Sequence, residues 1–96
     1  MMSIILTSEQ MEVLLLLLGY QRTPSKGPQR VFENREYDAI QLLPPAGKEP
    51  YARIEHLMTL RKVSVEKGIV DERTFEELFE KACHHQLEPA ASPSAA

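Results

Sequence analysis

A run of five leucines in a short capped segment constrains the fold of this chain more than any other feature. Leu14 to Leu18 follow Val13 and are closed by Gly19, a residue that commonly ends a helix. A helix this apolar cannot stay in water, because it would expose a large hydrophobic surface. The sequence therefore predicts a core helix that the rest of the chain covers, with one buried face formed by Met11, Leu14, Leu15 and Leu18.

The start of this helix carries its own signals. Thr7 is a suitable N-cap, and Gln10 three residues later completes a capping box. Leu6 before the cap and Met11 at the fourth helical position are spaced for a hydrophobic staple. These residues predict that the helix begins directly after Thr7.

Length and composition predict one small domain. The chain has 96 residues, of which 43% are hydrophobic and 26% charged, as is ordinary for one globular core. We expect a single domain over residues 1–86 and a disordered tail over residues 87–96, where proline, alanine and serine leave little to bury. The single cysteine excludes an internal disulfide, and no apolar run is long enough to cross a bilayer. We therefore expect a cytoplasmic protein without membrane contact, lacking a signal peptide.

After the first helix, the apolar pattern changes from helical spacing to alternation. Residues 20–23 predict a short edge strand, and residues 29–34 and 37–43 predict two longer strands joined by a tight antiparallel turn. Ile40 and Leu42 fall on one face of the last strand, and Asn34 can adopt the left-handed backbone that such a turn needs. The sheet is therefore expected to have two or three strands.

A second helix is predicted after the proline-rich connector over residues 44–50. Pro50 suits the first position of a helix, because its missing N–H has no partner there in any case. We expect this helix to run to about Lys67, with one apolar side broadened by Leu60 and Val63. The residues along that side are Ile54, Leu57, Met58 and Val65.

A third helix completes the predicted fold. Asp71 is its expected N-cap, and one apolar face repeats at helical spacing through Phe75, Leu78, Phe79 and Ala82. The order is helix, two- or three-stranded antiparallel sheet, helix, helix. This order predicts a two-layer α+β fold in which the apolar sides of the first two helices cover the sheet.

Charge limits the functions that the chain can have. The formal net charge is −3, with +3 over residues 21–35 and −4 over residues 66–88. A strong, non-specific nucleic-acid binder usually has a basic domain, so the total argues against one. A small basic patch on an acidic body is compatible with this distribution.

Several short motifs follow one another in a familiar order. They are Leu18-Gly19-Tyr20 at the end of the first helix, the Lys26-Gly27 turn, the strands at 30–33 and 38–43, the helix end at 65–69 and the acidic segment at 71–78. In this order, over roughly residues 8–80, the chain resembles the HicA family of small toxins. The resemblance implies a fold similar to a double-stranded-RNA-binding domain, a ribonuclease activity and an antitoxin-like partner.

The sequence departs from the family at the residue that carries catalysis. Where the family has Gly-Ser-His, this chain has Gly27-Pro28-Gln29. The family's histidine transfers a proton during RNA cleavage, but an amide side chain has no titratable proton near neutral pH. We therefore expect an impaired protein, leaning away from an enzyme, which contacts RNA or binds an antitoxin-like partner. His56 on the second helix would replace the lost base only if that helix approached Gln29.

Basic side chains are the candidates for contact with RNA phosphates, and Gly27 would allow close approach of the backbone. The alternative for each is an ordinary solvated surface position. The candidate residues are Lys26, Gly27, Arg30, Arg35, Arg53, Arg61 and Lys62.

Neither a metal nor a cofactor is expected. Cys83, His84 and His85 are consecutive, and consecutive helical residues point about 100° apart, so the three side chains cannot converge on one ion. The alternative function is a structural or interaction protein without a nucleic-acid role. It would form a homodimer through leucine surface left over on the first helix.

Overall fold

Three helices lie against a three-stranded antiparallel sheet in the order helix, three strands, helix, helix. The computed structural model describes residues 6–45 and 47–85, so the predicted tail at 87–96 lies outside the described residues. The α+β prediction is confirmed, with three strands in the sheet. The elements are α1 (Ser8–Leu17), β1 (Gln21–Thr23), β2 (Arg30–Asn34), β3 (Ala39–Leu43), α2 (Ile54–Glu66) and α3 (Glu72–His85), with a 3₁₀ turn at Arg35–Tyr37.

The predicted start of α1 is confirmed. The Thr7 hydroxyl accepts a hydrogen bond from the Gln10 backbone N–H at 3.0 Å, and the Gln10 side chain accepts one from the Thr7 N–H at 2.9 Å. The amide of Gln10 also donates to the Cys83 carbonyl at 2.7 Å, which ties the start of α1 to α3. Leu6 and Met11, the predicted staple, are both fully buried in the core.

The leucine run divides between the core and the surface. Its predicted inner face is buried, whereas Leu16 is 57% exposed and Leu17 is 42% exposed. Gly19 ends the helix in the left-handed region at φ +94°, a conformation in which a side chain would be strained. α1 packs mainly along α3, so α3 belongs to the helix layer together with the two helices that were expected to cover the sheet.

The turn between β2 and β3 differs from the prediction. Asn34 is extended at φ −113°, and the left-handed residue is Asp38 at φ 55°. Asn34 is instead held by its side chain, whose amide donates to the Leu18 carbonyl at 3.1 Å and so satisfies a group at the end of α1. A 3₁₀ turn between the strands makes the connection longer than the expected tight turn.

β3 alternates strictly between a buried and an exposed side. Ile40 and Leu42 share a face, as predicted, and that face points to solvent, with exposures of 60% and 46%. Ala39, Gln41 and Leu43 point to the helix layer and are buried. The outer side of the sheet therefore carries apolar side chains in water.

The start of α2 also differs from the prediction. Pro50 does not begin the helix, because the backbone at residues 50–52 binds the start of α1 instead. Ser8 donates to the Pro50 carbonyl at 3.0 Å, and the Ala52 N–H donates to the Leu6 carbonyl at 2.8 Å. α2 begins only at Ile54, and its predicted apolar side is divided, because Leu57 and Leu60 are buried whereas Ile54 and Met58 are 46% and 66% exposed. Its buried positions are Leu57, Leu60 and Ser64.

α3 matches its prediction closely. The Asp71 carboxylate accepts a hydrogen bond from the Thr74 N–H at 2.8 Å, as an N-cap does. Phe75 and Ala82 are buried, and the other two residues of the predicted face are half-buried. In the described part of the chain, no helix is long and apolar enough to cross a membrane.

Candidate functional site

A cleft of about 440 Å³ lies where β3 ends and the chain turns back toward α2. We call it the linker cleft. Its lining combines apolar side chains with an amide, cationic side chains, a carboxylate and an imidazole. Its lining residues are Gln29, Leu42, Leu43, Pro44, Pro45, Lys48, Glu49, Arg53 and His56.

Three separate segments build the linker cleft, and the fold fixes each of them. Gln29 immediately precedes β2, whose first residue pairs with Leu43, so Gln29 lies at the end of β3 where the cleft opens. The connector that carries Lys48 is anchored by its backbone bonds to the start of α1. Arg53 and His56 follow at the beginning of α2. The cleft therefore depends on long-range contacts that hold the connector near the end of β3.

An ion pair at the mouth of the cleft holds Arg53 in place. Its guanidinium donates two hydrogen bonds to Glu49, at 3.1 Å from Nε and 2.7 Å from Nη2. The hydrogen bond from Arg53 lowers the pKa of Glu49 below its ordinary value, and the same contact raises the pKa of Arg53. Among the described residues, Lys48 has no carboxylate within 4.0 Å, although its charge helps to lower the pKa of the neighbouring Glu49.

His56 stands between the linker cleft and a small cavity behind it. Its ring lines both, and the small cavity also contacts Arg30 and Tyr51. The Nδ1 atom is buried and has no hydrogen-bond partner in the described structure. The sequence left open whether α2 approaches Gln29, and the structure places His56 and Gln29 in the same cleft.

Arg30 is not available for phosphate contact, contrary to the expectation from sequence. It is 5% exposed, and its Nε donates to the Pro44 carbonyl at 2.8 Å. Its Nη1 pairs with Glu12 of α1. The guanidinium thus joins α1, β2 and the end of β3, and a ligand in solvent cannot reach it without disrupting these contacts.

The other predicted phosphate-contact residues lie apart from one another. Lys26 and Gly27 occupy an exposed turn, and a side chain at Gly27 would meet open space, so the fold does not require glycine there. Arg35 lies at the opposite end of the hairpin, 3.5 Å from Glu33. Of the seven predicted residues, only Arg53 lines the linker cleft.

Arg61 and Lys62 line a different groove, between α2 and α3. The Arg61 guanidinium is 3.6 Å from Glu76 and 3.8 Å from Glu72, so acidic residues of α3 offset its charge. The predicted basic patch is therefore divided among separate surfaces.

Lys48 is absent from the phosphate-contact residues that the sequence predicts, because its segment carries only the signals of a stiff connector. A proline-rich composition shows that a segment is stiff and lacks regular structure, but it does not show where the segment binds. The nearest signal in the sequence is the closeness of Lys48 to Pro50, a residue whose type favours a helix start.

A second, more apolar groove of about 800 Å³ runs between α1 and α3. Leu16 and Leu17 form its floor together with Val13, and His84 lies at its edge. Cys83 is half-buried nearby, and burial, reinforced by the charge of Glu80, raises the pKa of its thiol. Within residues 6–45 and 47–85, no three His, Cys, Asp or Glu side chains are grouped as metal ligands.

No family model matches the chain, and neither curated proteins nor solved structures show significant similarity to it. The resemblance to HicA toxins therefore stays a prediction. Functional inference depends on the order of the motifs and on the geometry of the linker cleft.

Proposed function

We propose that this chain is a HicA-like domain that contacts the RNA backbone at the linker cleft without cutting it. One observation carries the proposal. Gln29, which stands where the resemblance places a catalytic histidine, lines a cleft together with Lys48, Arg53 and His56. A position with a ligand-binding role is expected to face a concave site with a few convergent polar groups, and Gln29 does so.

Each polar group of the cleft suits a phosphodiester. Lys48 supplies a positive charge that no described carboxylate pairs within 4.0 Å, and the Gln29 amide supplies N–H donors. Arg53 gives two donors to Glu49, which leaves other N–H groups of its guanidinium for an anionic oxygen. With two cations in the cleft, we expect the logarithm of the RNA association constant to fall linearly with the logarithm of the salt concentration, with a slope of about −1 to −2.

The proposed contact is non-catalytic because the group at the family's catalytic position cannot accept a proton. His56 is the one imidazole that lines the cleft, and its buried Nδ1 leaves the other side of the ring as the one that would meet RNA. In this proposal the protein acts in the cytoplasm, and an antitoxin-like partner would cover the strand region around the cleft.

The test is binding of a labelled RNA duplex across a salt series, followed by analysis of the RNA for cleavage. Lys48→Glu reverses a charge in the cleft, and Lys62→Glu makes the same change at an exposed lysine outside it. We expect Lys48→Glu to weaken binding by about tenfold at low salt, and Lys62→Glu by less than twofold.

Three outcomes would contradict this function. Absence of binding at the lowest salt would exclude RNA contact, and equal losses in both variants would mean that only overall charge matters. Cleavage that disappears in His56→Ala would show that the domain is an active ribonuclease with a relocated base.

A structural role through α1 is the second candidate, favoured by the exposure of Leu16 and Leu17 over the α1–α3 groove. Two neighbouring exposed leucines are unusual on a monomer surface and suit a homodimer. In that case Leu16→Lys would abolish the dimer, and no RNA would bind at any salt concentration.

A further inference from the structure

The free edge of the sheet is unprotected. β3 is the last strand in the order β1-β2-β3, and within residues 6–45 and 47–85 its backbone–backbone hydrogen bonds go only to β2. The Leu42 carbonyl also accepts a hydrogen bond from the Gln41 side-chain amide at 3.2 Å. An edge strand offers unpaired N–H and C=O groups to another strand, and proteins usually block such pairing with a charge, a proline or a bulge. The five residues of β3, Ala-Ile-Gln-Leu-Leu, contain no charge or proline, and their register with β2 is regular.

The solvent side of this edge is also apolar. Ile40 and Leu42 are consecutive outward positions on β3 and expose 60% and 46% of their surface. A single exposed apolar residue is ordinary, but two neighbours beside unpaired backbone groups mark a site of strand addition.

We propose that β3 pairs antiparallel with β3 of a second copy of this chain, so that two three-stranded sheets form one six-stranded sheet. In this pairing Gln41 lies directly opposite Gln41 of the second copy, and the two-fold axis passes between them. Ile40 lies opposite Leu42 of the second copy, and Ala39 lies opposite Leu43 of the second copy.

Symmetry selects this register. A two-fold axis that relates antiparallel neighbours is perpendicular to the sheet, so the helices of both copies remain on one side. Residues opposite each other in a sheet must face the same side, whereas successive residues of one strand face opposite sides. The axis must therefore pass between one residue and the same residue of the second copy. An axis between the two Gln41 residues is the one that pairs all five residues of the strand. It also places apolar side chains opposite apolar ones on the outer face.

The sequence around β3 favours a second copy over an unrelated strand. The pattern of two apolar residues, Gln41 and two apolar residues is the same in both directions along the strand. Pro44, which has no N–H, ends the pairing after Leu43.

The first test is the molar mass measured by sedimentation over a concentration series. We expect the wild-type chain to shift from 10.9 kDa toward twice that mass as its concentration rises. The association should be reversible, because a five-residue strand pair buries less than a standard interface of about 1,600 Å². This pairing does not depend on RNA binding, so it can be tested without RNA.

Two matched variants locate the interface. Ile40→Lys and Leu16→Lys each place a lysine at an exposed apolar position, with exposures of 60% and 57%, and neither alters the core. We expect Ile40→Lys to remain monomeric over the whole series and Leu16→Lys to behave as the wild type. The proposal is overturned if the wild type stays monomeric, if Ile40→Lys still dimerises, or if Leu16→Lys abolishes the dimer.

Disulfide trapping tests the register. With Cys83 replaced by serine, Ile40→Cys chains are mixed with Leu42→Cys chains under mild oxidation. Because directly opposite Cβ atoms lie about 4.5–5.5 Å apart and diagonal ones about 7–8 Å, the mixture should cross-link at least tenfold faster than either variant alone. Equal rates in the mixture and in the separate variants would contradict the register.

Discussion

Replacing Arg30 with alanine is expected to destabilise the fold by about 2–4 kcal/mol. The change removes a 2.8 Å hydrogen bond from the charged guanidinium to the Pro44 carbonyl, and a hydrogen bond to a charged group contributes about 1.5–3 kcal/mol. It also removes the partner of Glu12, although that carboxylate is 28% exposed and can be hydrated, which limits the loss. The packed aliphatic stem of a side chain that is 6% exposed adds to the cost.

The assay is urea denaturation followed by circular dichroism. A domain of this size typically has an unfolding free energy of about 5–14 kcal/mol, so the predicted loss is readily measured. Arg35→Ala is the control, because the Arg35 side chain is 86% exposed and lies 3.5 Å from Glu33, and we expect a change within about 0.5 kcal/mol. If Arg30→Ala matches this control, the structural role assigned to Arg30 is wrong.

Three further predictions concern local features of the fold. Gly19→Ala should destabilise the protein by about 1–2 kcal/mol, because residue 19 has φ +94°, whereas Gly27→Ala should change the unfolding free energy by less than about 0.5 kcal/mol in the same denaturation assay. Cys83 should react with a thiol reagent at neutral pH more slowly than an unperturbed cysteine, because burial raises its pKa and reduces the thiolate fraction; urea should abolish the difference. The hydrogen bond to a backbone N–H lowers the pKa of Asp71, so its stabilising effect is present above the unfolded-state pKa and is lost as the pH falls through the folded-state pKa. Melting curves of Asp71→Ala and the wild type should therefore differ near neutral pH and converge in acid.

Local signals in the sequence predicted local structure well. The Thr7–Gln10 capping box, the glycine that ends α1 and the Asp71 cap all involve residues within four positions of one another. Such contacts join residues that are close in sequence, so the sequence alone indicates them. The α3 face was predicted for the same reason, since helical spacing directly defines it.

Long-range pairing decided the features that the sequence did not predict. Alternation placed Ile40 and Leu42 on one face but could not say which side that face takes. The structure puts Gln41 inside, opposite Phe32, whose ring fills the core at that point. Arg30 was expected at the surface because arginine usually lies there, and its burial follows from Glu12, eighteen residues earlier.

The linker cleft was not predictable for a related reason. It exists because residues 50–52 bind the start of α1 more than forty residues earlier, and neither segment carries a motif for the other. The sequence suggests a link between His56 and Gln29 but does not show whether α2 approaches Gln29. Only the folded connector shows that they line one cleft.

The most direct test of the proposed function is to titrate short unlabelled RNA into the isotope-labelled protein and follow backbone amide shifts by NMR. The proposal predicts that the largest changes cluster at Gln29, Lys48, Arg53 and His56, and that they shrink as salt is added. Changes confined to the α1–α3 groove around Leu16, or no changes at low salt, would contradict RNA contact at the linker cleft.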